Sequence, residues 1–331
     1  PWNKTYRQEF EDGQFQLQNR VFSMYRSLEL LPDDYIPTAY LDVGCVGIAE
    51  AFGGKVFLGE NPEQTPGIER PRVTDRKALE LLLGNEWEPD FSLGLTNEYL
   101  KRISECLHIT SKKVHVSGLD FNGPLGVAMD LVGSSLLFEL LLEEDPLLDM
   151  LLDKITRAII DFTERMIHRA GSMDHFTSLD FFWYWCPKKG HVSSDLSSMY
   201  SGRYFEKIEK PFLERILRQY GGGLLHNCGP NPCTENYASL NGLRGLNVSY
   251  RYSKNDLEVF RRHLSGRVIY FFMDDHDENK SITDFTRIME ELAPEVIGIP
   301  IVSVTDPKTD VASLYGSYRC IAQEYAHRVF G

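Results

Sequence analysis

The strongest constraint on what this chain can fold into is a repeating order of short apolar runs and longer amphipathic segments. The runs fall at residues 36–43, 114–119, 175–182, 222–228, 246–250, 268–273 and 296–304. Strands that alternate with helices imply a parallel sheet, because each parallel connection needs a crossover long enough to hold a helix. Between Pro146 and Ala170 the residues Leu148, Leu151, Leu152, Ile155, Ile159, Phe162 and Met166 recur at helical spacing on one stripe, which predicts a helix laid against that sheet. Pro146 suits its first turn and Gly171 its stop. Further helices are expected at residues 75–83, 96–107, 202–220, 255–264, 282–292 and 310–328.

The fold class expected is α/β, a (β/α)8 TIM-type barrel over residues 36–331 in a single domain, with an N-terminal helical and hairpin extension over residues 1–35. The length of 331 residues fits a barrel of about 250 residues with insertions. Seven strands can be defended; the eighth is sought at residues 56–58, inside a Gly- and Pro-rich stretch that reads as a hairpin or cap, or in the aromatic residues 181–186. A doubly wound open sheet would carry a glycine-rich phosphate turn after its first strand, and Gly44-Cys45-Val46-Gly47 is too weak to be one.

Composition excludes several function classes. A formal charge of −13, from 48 acidic and 35 basic residues, gives no overall positive field for phosphate backbones or anionic lipid, so neither nucleic acid nor a membrane is an expected partner. Six scattered cysteines do not make a disulfide framework, and reduced thiols point to the cytoplasm. No apolar run in the sequence approaches the roughly 20 residues that cross a bilayer.

Chemistry concentrates at residues 221–230, Gly-Gly-Gly-Leu-Leu-His-Asn-Cys-Gly-Pro. On a strand, residues two apart share a face, so His226 and Cys228 point the same way, inward at the end where barrel enzymes place their catalysis. Imidazole and thiolate suit zinc, whose shell needs at least one more protein ligand; Cys233 is the nearest candidate. The plainer reading makes His226 a backbone-bonded residue and Cys228 a small buried hydrophobe. Asp42, Asp120, Asp180 and Asp274, the last followed by Asp275 and His276, stand at other strand ends as candidate proton carriers, although each also suits a helix cap. Trp183 and Tyr250 offer flat walls for a cofactor.

Several segments together resemble the uroporphyrinogen decarboxylase superfamily, which includes decarboxylases and cobalamin-linked methyltransferases on a common barrel. They are Gly123-Pro124-Leu125-Gly126-Val127-Ala128-Met129-Asp130-Leu131-Val132-Gly133, then Glu144-Asp145-Pro146 followed by Leu151-Leu152-Asp153-Lys154-Ile155-Thr156, then Ser194-Asp195 followed by Glu206 to Arg215 with Pro211-Phe212. The likeness runs over about residues 37 to 325. The decarboxylase branch carries an Arg-x-Ala-Gly-Arg element and a late Gly-His-Gly, neither of which is present, and Asp130 stands where it has a tyrosine. The methyltransferase branch has a zinc site with a His-x-Cys pair, here His226 and Cys228, and a third cysteine near the last strand. This chain departs there, with Asp306, so Cys233, Asp306 or His276 is left to complete the shell. The resemblance implies a zinc-dependent transfer of a methyl group between a corrinoid, carried by a small partner protein, and a thiol acceptor. A tetrapyrrole decarboxylase and a non-catalytic binding barrel are the alternatives.

Overall fold

A computed structural model of the chain describes residues 4–30, 36–177, 190–273, 278–302 and 308–330. Its strands are β1 (Thr38–Ala39), β2 (Val56–Phe57), β3 (Gly67–Ile68), β4 (His115–Ser117), β5 (Phe176–Thr177), β6 (Gly190–Ser193), β7 (Gly223–Asn227), β8 (Leu243–Ser249), β9 (Val268–Met273) and β10 (Ile297–Val302). β2 and β3 pair antiparallel, as expected of the Gly- and Pro-rich stretch. All the others pair parallel, in a three-stranded sheet of order β1-β4-β5 and a five-stranded sheet of order β10-β9-β8-β7-β6. Within each parallel sheet the strands follow one another in chain order, with helices between them, so the chain is a mixed α/β protein built on parallel sheets. β6 is the strand that periodicity missed. Its four residues, Gly-His-Val-Ser, are all buried, and two of them are polar, so no apolar run announces it.

Helix Pro146–Ala170 has the bounds expected, and every residue of its apolar stripe is buried. Asp145 caps it by accepting the Leu147 N–H, and Gly171 ends it in the left-handed region at φ 92°. The single helix expected at residues 202–220 is instead broken into Gly202–Tyr204, a wide turn at Phe205–Glu209, and Lys210–Gln219. Ahead of β1, helices Tyr6–Glu11 and Gly13–Leu30 are held by the buried Arg102, whose guanidinium donates to Phe10 O, Gln16 Oε1 and Asp42 O at 2.6, 3.0 and 2.9 Å.

Helix Pro124–Glu143 corrects the reading of apolar length: by length and composition it could cross a membrane. Gly133 interrupts it at φ 76°, and Leu125, Leu131, Leu137 and Leu141 bury in the main apolar cluster with residues of helix Pro146–Ala170, which is the packing of a core helix.

Near that helix sits Glu209, a fully buried carboxyl that accepts hydrogen bonds from Ser194 Oγ at 2.6 Å and from Tyr200 Oη. Burial pushes it up to about 7, against the pull of those two bonds. A carboxyl raised on folding contributes stability below its ordinary range and loses it as pH climbs through the raised value. Stability should therefore fall by on the order of 3 kcal/mol between pH 4.5 and 7 through this residue alone. Urea unfolding across that window should show Glu209→Gln losing less stability than the wild type; parallel curves would show that Glu209 ionises normally.

Candidate functional site

Strand register assembles the site. Ser193 of β6 pairs with His226 of β7, His226 with Asn247 of β8, and Asn247 with Tyr270 of β9. Parallel strands in this register set neighbouring residues in a row across the sheet, and the row lies toward the carboxyl ends of the strands. Immediately beyond it come Asp195 after β6 and Cys228 after β7.

The Asp195 carboxylate, the His226 imidazole and the Cys228 thiol each offer one ligand atom, and these atoms all lie within 4.8 Å of one another. Asp195 Oδ1 accepts the Cys228 N–H at 3.0 Å and the Cys228 thiol at 3.3 Å, and stands 3.6 Å from His226 Nε2; Oδ2 accepts Ser193 Oγ at 2.6 Å. Burial opposes its ionisation, but the facing His226 and these hydrogen bonds outweigh that and hold the carboxyl below its usual range. On its other side His226 meets Asn247, Nδ1 to Oδ1 at 2.5 Å. Desolvation first, then the Asp195 charge, push the Cys228 thiol up to about 12. A bound cation reverses that balance, since coordinating thiols ionise. One oxygen, one nitrogen and one sulfur donor, open on one side, fit a zinc ion with a free coordination position.

The donors face a cavity of about 500 Å3, within the range of small-molecule sites. Asp120 and Asn122, from the loop after β4, line it together with Cys45, Arg251, Tyr252 and Phe272. Burial pushes Asp120 up to about 6, with His226 pulling it down and the Asp195 and Asp42 charges adding to the rise. Burial likewise raises Asp130 to about 6 against a 3.0 Å hydrogen bond from Asn122 Nδ2.

Of the residues singled out in the sequence, His226, Cys228 and Asp120 meet in this cavity. Cys233 does not join them. It is the buried cap residue of helix Thr234–Tyr237, and its thiol is directed to the carbonyls of Ser197 and Tyr200 at 3.6 and 3.7 Å; the third donor is Asp195. Tyr250 does not reach the cavity either: an odd number of positions from the cavity-lining Asn247, it alternates to the opposite side, where it buries edge-on to Phe271 and its hydroxyl donates to Asp284, while Tyr252 lines the cavity. Asp42 is not among the described residues lining the cavity; it accepts Tyr6 Oη at 3.1 Å and the Gly44 N–H at 2.7 Å, tying the N-terminal helices to the β1 end. Asp180, Trp183 and Asp274, like Asp275, His276 and Asp306, lie outside the described residues. Asp195 was legible in sequence only as part of a family segment, since the strand before it was not recognised. Asn247 carried no signal at all.

Neither a protein-family model nor a curated protein matches the sequence. Among solved structures, a methyltransferase from Methanosarcina mazei superposes on 98% of this chain and 88% of its own, with a TM-score of 0.69 and 17% sequence identity. At that identity the likeness establishes a shared fold.

Proposed function

We propose that the chain is a zinc-dependent methyltransferase of the uroporphyrinogen decarboxylase superfamily, moving a methyl group between a corrinoid and a thiol acceptor on a (β/α)8 barrel. The observation that carries this reading is the convergence of Asp195, His226 and Cys228 on one open cavity. The shared fold with a methyltransferase supports it, as does the sequential order of the parallel strands, which suits two arcs of one barrel. Asp195, His226 and Cys228 would hold the zinc, and its positive charge would lower the pKa of an incoming thiol toward neutrality. Asp120, which lines the same cavity, takes the thiol's proton on its carboxylate. Asp195 keeps its charge through Ser193 and Cys228. The acidic wall formed by Asp120 and Asp195 opposes a polyanionic tetrapyrrole, which sets the decarboxylase reading second. The methyl donor sits on a small corrinoid protein docking at the cavity mouth. The free cysteines among the described residues suit a cytoplasmic location.

The test is direct. Purified chain loaded with zinc, mixed with methylcobalamin and a simple thiol, should demethylate the corrinoid, read from its visible spectrum, at a rate that zinc removal abolishes. Demethylation no faster than without protein, across a panel of thiols, would overturn the assignment.

A further inference from the structure

We infer that Asn247 is a positioning residue that fixes His226 as its Nδ1–H tautomer and so aims a bare Nε2 at Asp195 and Cys228. The assignment rests on the reading of His226 as a metal ligand, and follows from the row of paired residues across the sheet.

Asn247 is 1% exposed, so the two ends of its amide must find partners within the protein. Its Nδ2 lies 3.3 Å from the carbonyl oxygen of Tyr270. A carbonyl only accepts, so the amide is oriented with its nitrogen toward Tyr270 and its oxygen toward His226. That oxygen is 2.5 Å from Nδ1. Two acceptors do not approach so closely, and the hydrogen must therefore sit on Nδ1. In a neutral imidazole the lone pair is then left on Nε2. Nε2 faces Asp195 Oδ1 at 3.6 Å with the Cys228 sulfur beside it, an assembly of electron-pair donors that calls for a cation. With the opposite tautomer Nε2–H would donate to Asp195, and the lone pair would be turned toward Asn247, where no ion can reach. Ser193 works on the neighbouring ligand in the same way, donating to Asp195 Oδ2 and leaving Oδ1 on the cluster side.

Long-range 1H–15N NMR of the full, metal-free chain reads the tautomer without any activity measurement. At about pH 8, above the ordinary imidazole range, His226, identified by the loss of its signals in His226→Gln, should show a protonated Nδ1 and an unprotonated Nε2. Asn247→Leu should mix or reverse the tautomers and weaken cobalt(II) binding, followed by its visible absorption, by about 10–100-fold. Asn247→Asp, which keeps an acceptor opposite Nδ1, should restore both readouts to near the wild type. A wild-type protein with its hydrogen on Nε2 would overturn the inference, as would Asn247→Leu with unchanged tautomer and cobalt affinity. Wild type that shows the Nδ1–H form yet binds neither zinc nor cobalt supports the tautomer assignment and removes the metal reading, so the two failures are distinguishable.

Discussion

His226→Ala is expected to fold normally and to lose zinc. The imidazole side chain is 19% exposed beside an open cavity, so water can replace it against Asn247 Oδ1, and the cost in stability should stay near 1 kcal/mol. Metal affinity should suffer far more. In the proposed site three protein donors would share the ion, and removing the nitrogen leaves only Asp195 and Cys228, two ligands where catalytic zinc sites use three. Affinity should fall on the order of a hundredfold or more, read by chelator competition and by metal content after dialysis. The variant should also lose methyl transfer to the same extent. If His226→Ala holds zinc as tightly as the wild type, the contiguous group of His226, Asn247 and Asp195 is a structural polar network.

Gly123→Ala should unfold or deform the site from outside the metal cluster. A Cβ built on Gly123 falls 1.8 Å from the carbonyl oxygen of Ser193 and 2.9 Å from its carbonyl carbon. Both obstacles are backbone, so no side-chain rotation relieves the overlap. The backbone torsions at Gly123 are ordinary, φ −63° and ψ 175°, which makes the constraint purely one of space. The loop that carries Asp120 and Asn122 is thereby pressed against the end of β6, the strand that delivers Asp195. Moving either segment shifts Asp120 and Asn122 relative to Asp195, all of which line the cavity. Destabilisation of about 3 kcal/mol or more is expected in urea unfolding, with weaker metal binding in whatever fraction stays folded. A loss below about 1 kcal/mol would show that the loop and strand can part without consequence.

Patterns local in the chain were legible before any coordinates. Helix Pro146–Ala170 announced its stripe, its start at Pro146 and its stop at Gly171, because each depends on residues within a turn or two. His226 and Cys228 were legible for the same reason: positions two apart near a strand end share a face whatever the strand pairs with. Cys233 lies beyond the loop that follows β7, where strand spacing no longer tells which way a side chain faces. Tyr250 is an odd number of positions from Asn247, so alternation counted from the site residue turns it away from the cavity.

By itself, then, the sequence determined the alternation of strand and helix and the pairing of an imidazole with a thiol at one strand end. Only the tertiary structure decided that Asp195 completes the donor set and that Asn247 stands behind His226. Those residues lie 31 positions before and 21 after His226 in the chain, and what brings them together is the register of parallel strands, set by crossover helices packing on the sheet rather than by any local spacing.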